Sequence, residues 1–111
     1  MTAPIIIRHR CNDLAALRDT PSELGVEIDL RTDGKNLILA HDPLMPGTLF
    51  VDWVKEYDHR FIILNVKEEG LESVIKPILD IHSISEYFYL DQTFPFLLKS
   101  ANSGERRCAV R

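Results

Sequence analysis

Short apolar runs with the two-residue period of strands alternate along this chain with stretches of helical period. Val26, Ile28 and Leu30 alternate with Glu27, Asp29 and Arg31, which is a strand pattern. Side chains of a strand point to opposite faces in turn, so Glu27 and Asp29 share one face and the three apolar residues the other. Asp33-Gly34 then signals a turn, and Leu37 to Ala40 forms a second extended run that returns His41 and Asp42 toward the carboxylates. Upstream, Ile5 to Arg10 is an apolar run until it reaches Arg8-His9-Arg10, the pattern of a strand covered on both sides. Ile5, Ile7 and His9 share a face, which puts His9 at the carboxyl end. Asn12 or Asp13 can cap a helix carrying Leu14, Ala15 and Leu17, which Thr20-Pro21 ends.

Downstream, Pro43, Pro46 and Gly47 mark a loop. Phe50, Trp53, Val54 and Tyr57 fall at i, i+3, i+4 and i+7, one face of a helix. Phe61 to Lys67 predicts a strand with Ile62, Leu64 and Val66 facing one way and Ile63, Asn65 and Lys67 the other. Gly70 opens a helix whose buried side is Leu71, Val74, Ile75, Ile78 and Leu79, with Pro77 expected to kink it. Tyr87 to Asp91 predicts a fourth strand, Phe94, Leu97 and Leu98 a helix that Thr93 can cap, and Arg106 to Arg111 a fifth strand. Alternation of this kind predicts right-handed βαβ units and a parallel sheet. His9, Glu27, Asp29, Asn65, Lys67 and Asp91 then collect at the carboxyl ends of the strands, where sites of parallel α/β folds lie.

Composition narrows the function classes. The 111 residues are 45% hydrophobic with a formal charge of −4, which fits one globular unit and lacks the basic footprint of a nucleic-acid binder. Cys11 and Cys108 match no metal-thiolate or redox spacing, so a reducing compartment and a cytoplasmic protein are expected. The three isoleucines before Arg8 are too short for a signal segment or a membrane span. Neither cysteine adjoins a recognisable base, and both read as small packed side chains. His59 and His82 lie in polar stretches and read as surface residues, and Trp53 with its aromatic neighbours reads as helix packing.

Two like charges about 6–7 Å apart along one strand repel unless a cation or water separates them. Glu27 and Asp29 therefore read as part of a site for a hard divalent metal. At this point the residues resemble a known family. His9-Arg10, Glu27-x-Asp29, Thr32-Asp33-Gly34 and His41-Asp42, in this order, are similar to the amino-terminal half of glycerophosphodiester phosphodiesterases, members of the phospholipase-C-like phosphodiesterase superfamily. The resemblance covers about residues 5 to 67. It implies a (β/α)8 TIM barrel, of which this chain would supply roughly the first half as a single domain, 1–111, truncated from a longer chain.

The resemblance also implies roles. Glu27 and Asp29 would bind calcium or magnesium, His9 and His41 would form the general acid–base pair, and Arg10 and Lys67 would contact the phosphate. Two positions depart from the family. Cys11 stands where the family has glycine, and Asn65 stands where it has a third carboxylate ligand. An amide oxygen can ligate calcium but brings no charge, so Asp91 is the candidate to compensate. These residue types suit phosphodiester cleavage: a cation and fixed positive charge neutralise phosphoryl oxygens, and imidazoles move protons. The expected activity is metal-dependent hydrolysis of a small-molecule phosphodiester. The alternatives are a barrel relative that binds a phosphorylated ligand without turnover, and an open α/β domain in which the motif match is accidental. Were 111 residues the whole protein, a homo-oligomer would be expected to cover its sheet edges.

Overall fold

The computed structural model describes residues 6–90. Its centre is β2 (Gly25–Thr32), an eight-residue strand bonded along both edges. On one side it pairs in parallel with β5 (Ile62–Val66), which pairs in parallel with β6 (Tyr87–Leu90). On the other side two strands share its length. The short β1 (Ile7–Arg8) lies parallel to Gly25 and Val26, and β3 (Leu37–Leu39) lies antiparallel to Leu30–Thr32. A two-residue β4 (Thr48–Leu49) extends the sheet beyond β3. Three helices complete the described residues: α1 (Leu14–Arg18), α2 (Phe50–Glu56) and α3 (Glu72–Ile81).

This six-stranded mixed sheet overturns the half-barrel expected from the resemblance. The cause lies in the hairpin. Asp33 accepts the amides of Lys35 and Asn36 on its Oδ1, and Gly34 takes a φ of +100°, so the chain doubles back as an antiparallel partner of β2 rather than crossing over. The sheet order β4-β3-β2-β5-β6 is therefore parallel on one side of β2 and mixed on the other. The fifth strand at 106–111, the helix through Phe94, Leu97 and Leu98, Asp91 and Cys108 lie outside the described residues.

The two-residue alternation on β2 and β5 separates core from site. Val26, Ile28 and Leu30 join Ile62, Leu64 and Val66 in one buried cluster with Leu17 of α1, Phe50, Trp53 and Val54 of α2, and Ile75 and Leu79 of α3. Removing each such side chain from water stabilises the fold by about 1.5–3 kcal/mol. Trp53 is fully buried, donates from Nε1 to the Cys11 carbonyl and stacks between Phe50 and Tyr57. Asp13 caps α1 by accepting the Ala16 amide at 2.7 Å. Arg18 of α1 holds Glu56 of α2 through two bonds of 2.7 and 2.8 Å.

Two packing expectations change. Val74, expected on the buried side of α3, is half exposed: Ile75 and Leu79 are buried in the core, and Leu71 and Ile78 pack against it. His59, expected at the surface, is partly buried under Tyr57 and bonds the Thr20 carbonyl through Nε2.

Candidate functional site

On the opposite face of the same strands lie Glu27, Asp29, Asn65 and Lys67. Glu27 pairs across with Ile63 and Asp29 with Asn65, and Lys67 follows directly, its amide bonded to the Leu30 carbonyl. Glu27 is 6% exposed, Asp29 1% and Asn65 2%, so these are not the carboxylates of a wetted strand face. His9, Arg10, Glu27, Asp29, His41, Asn65 and Lys67 together line one pocket of about 310 Å³. Of the site residues expected from the sequence, Asp91 falls outside the described residues.

Each element supplies its side chain for a local reason. β1 ends at Arg8, whose guanidinium bonds the Ala16 carbonyl and the Thr20 hydroxyl, and the chain turns at Arg10, which has a φ of +52°. Non-glycine residues in that region are strained. Bonds on either side hold the turn: the Cys11 amide donates to the Glu27 carbonyl and the Asn12 amide to the Arg10 carbonyl. His9 and Arg10 are thereby presented at the pocket rim, both exposed. The closing turn of the hairpin is fixed by Arg31, which donates to the carbonyls of Ala40 and His41 at 3.1 and 2.7 Å.

The polar contacts divide the work. Glu27 Oε1 lies 3.1 Å from His9 Nδ1, and Asp42 Oδ1 lies 3.1 Å from His41 Nδ1. An ionised carboxylate only accepts, so in each pair Nδ1 carries the proton and Nε2 is left for a substrate. Asp29 Oδ1 faces the Lys67 ammonium at 3.6 Å, and Asp29 Oδ2 accepts from Asn12 Nδ2 at 2.9 Å. Asn65 Oδ1 is buried and has no hydrogen-bond partner among the described residues. A buried acceptor without a donor is costly unless something positive or protic meets it.

That orphaned oxygen tests whether the donor set suits a cation. Two buried carboxylates and a buried amide oxygen on neighbouring strands are hard oxygen donors of the kind calcium and magnesium take. Among the described residues no three His, Cys, Asp or Glu side chains gather as metal ligands, and the third donor here is an amide. In ligand type, two carboxylates and one amide oxygen, the residues present fit a hard divalent cation.

Three contributors were not assigned a site role from the sequence. Arg31 shares the face of Glu27 and Asp29 by alternation, a signal that was available. Asp42 adjoins His41, and adjacency gave no clue that it would grip the ring. Asn12 offered only its capping propensity, yet Asp13 takes the cap and Asn12 bonds Asp29 twice, through Nδ2 and by accepting the Asp29 amide on Oδ1. No helix among the described residues is long and apolar enough to cross a membrane. Comparison with protein-family models, with curated proteins and with solved structures gives no match.

Proposed function

We propose that this protein is a divalent-cation-dependent phosphodiester hydrolase acting on small phosphodiesters in the cytoplasm, as its resemblance to glycerophosphodiester phosphodiesterases implies. The observation that carries the reading is the partnerless, buried Asn65 Oδ1 beside the Glu27 and Asp29 carboxylates, in one pocket with two imidazoles. Glu27, Asp29 and Asn65 would hold calcium or magnesium. When bound, that ion supplies Lewis acidity toward a non-bridging phosphoryl oxygen.

The chain's own groups supply the remainder. Arg10 and Lys67 line the pocket with fixed positive charge, where the phosphate's negative charge develops. Glu27 orients His9 and Asp42 orients His41 through Nδ1. The bare Nε2 of one ring would take a proton from the attacking hydroxyl, and the other ring, in its imidazolium form with both nitrogens protonated, would give one from Nε2 to the departing oxygen. Lys67 also lies against Asp29, which limits the negative charge the pocket concentrates.

Calcium and magnesium titration followed by turnover of bis(p-nitrophenyl) phosphate tests the proposal. Cation binding with turnover that falls by about 10²–10⁴ in His9→Ala supports it. An absence of both binding and turnover at millimolar cation would leave a phosphate-binding protein without catalysis, the reading favoured by an amide in place of a third carboxylate.

A further inference from the structure

Asp29 is the most deeply buried charged group of the pocket, its side chain 1% exposed, and both of its carboxylate oxygens are engaged. Oδ2 accepts from Asn12 Nδ2 at 2.9 Å, while Asn12 Oδ1 accepts the Asp29 amide at 2.9 Å. One carboxamide thus fixes the direction of the carboxylate. Oδ1 faces the Lys67 ammonium at 3.6 Å. A hard cation ligated by Asp29 would therefore take Oδ1, the oxygen that Lys67 covers.

Two positive groups do not share one oxygen without repulsion. At equal distance a divalent ion gains about twice the Coulomb energy of an ammonium, so the lysine is the group that yields. Its backbone is pinned, with the amide on the Leu30 carbonyl at 3.0 Å. Its side chain is 18% exposed and swings on a flexible four-carbon stem. Arg10, His9 and His41 line the same pocket, so an ammonium that leaves Asp29 remains where the phosphate would sit. We infer that Lys67 is an exchangeable counter-ion, which neutralises Asp29 until a cation takes Oδ1 and then passes to the phosphate. This rests on the phosphodiesterase reading for the cation and the phosphate, and on the Asp29–Lys67 pair for the exchange. At no stage is Asp29 left as a bare buried charge, a costly condition. Cation and phosphate then favour each other's binding, each to the same degree.

Calorimetry of calcium with the wild type, Lys67→Gln and Lys67→Arg, each with and without dimethyl phosphate, tests the exchange. In Lys67→Gln calcium should bind about tenfold more tightly, because Oδ1 has lost its competing cation. In Lys67→Arg it should bind more weakly than in the wild type, because a guanidinium is less hydrated and holds a carboxylate through a fork of donors. Dimethyl phosphate should tighten calcium about tenfold in the wild type and by less in Lys67→Gln, which has no ammonium to hand over. Equal calcium affinity in the wild type and Lys67→Gln overturns the inference. So does a tighter Lys67→Gln whose response to dimethyl phosphate matches the wild type, since Lys67 would then be a fixed neighbouring charge. Should Lys67→Gln not fold, calcium affinity in Lys67→Arg at or above the wild-type value has the same force. Turnover of bis(p-nitrophenyl) phosphate separates the two readings. Calcium-dependent turnover with calcium affinity indifferent to position 67 removes the exchange and keeps the phosphodiesterase, and the full calcium pattern without turnover does the reverse. Calcium binding by none of the three proteins overturns both.

Discussion

At Asp29 the amide of the central strand meets no peptide carbonyl, only the carboxamide oxygen of Asn12, while the Asp29 carbonyl accepts the Ala40 amide. β1 ends below this point and β3 begins above it, so the Asn12 side chain fills the gap between them: its Oδ1 takes the Asp29 amide and its Nδ2 steadies the carboxylate. Asn12→Ala leaves a buried N–H and a buried carboxylate each short of a bond. Urea unfolding should register a loss of about 1–3 kcal/mol, and calcium should bind more weakly because Asp29 is no longer held. Asn12→Asp should be worse than alanine on both measures, since it sets a second negative charge against Asp29.

Asn65 yields a prediction of opposite sign. Asn65→Asp adds a charge to the donor set of the proposed cation site, and calcium affinity in calorimetry should rise about tenfold, or 1.4 kcal/mol. Without calcium the same substitution buries a third carboxylate beside Glu27 and Asp29, so thermal melting should move down in chelator and recover with the ion. A variant equally stable in both conditions would show that no cation binds there.

At the scale of elements, the hairpin between β2 and β3 and the loop before β4 each hinge on a glycine, for different reasons. A Cβ on Gly34 would meet nothing, but its φ of +100° is one that side chains resist. A Cβ on Gly47 would collide with the Leu39 carbonyl oxygen, a backbone atom with nowhere to go. Gly34→Ala should therefore cost about 1 kcal/mol, and Gly47→Ala more, because it pushes β3 and β4 apart. Denaturant midpoints of the two variants give that order directly. Elements of this size were legible where the apolar period was unambiguous. Ile62, Leu64 and Val66 against Ile63, Asn65 and Lys67 forecast which residues would sit opposite Glu27 and Asp29. The two-residue β4 and the bonding of Asn12 were not legible, because each depends on a partner distant in sequence that no local pattern announces. Val74 matched the helical period and is half exposed all the same, since period defines an arc and the neighbouring sheet decides how much of it is covered.

For the whole molecule, the alternation of strands and helices carried the βαβ half of the sheet, from β2 through β5 to β6. It did not carry closure, because the antiparallel hairpin that makes the sheet mixed is set by Asp33 and Gly34 rather than by hydrophobic pattern. The assembled core also sets the pH range. Burial, reinforced by Asp58 and Glu86, pushes the Tyr57 hydroxyl well above its ordinary 10.0, and burial pushes the Cys11 thiol above 9.0. Both groups keep their protons longer in the folded chain than in the unfolded one. Their contribution is complete below about pH 9 and is lost as pH rises from there through the folded values. Tyr57→Phe should flatten the alkaline decline in unfolding midpoints measured between pH 8 and 11. On the acid side the signs reverse. Backbone amides of Asn36 and Lys35 hold Asp33 below the ordinary carboxylate value, and Arg18 does the same for Glu56. Their share is present near neutrality and fades as pH falls through those lowered values.

Because β2 is clasped along both margins, by β5 on one and by β1, Asn12 and β3 on the other, it has no way of fraying by itself. Its amide protons should trade with deuterium only when the entire molecule unravels. The acidic pair it carries is thus kept in register by the last part of the chain to come undone, and anything bound between those acids leaves through the pocket mouth, not through a breathing scaffold.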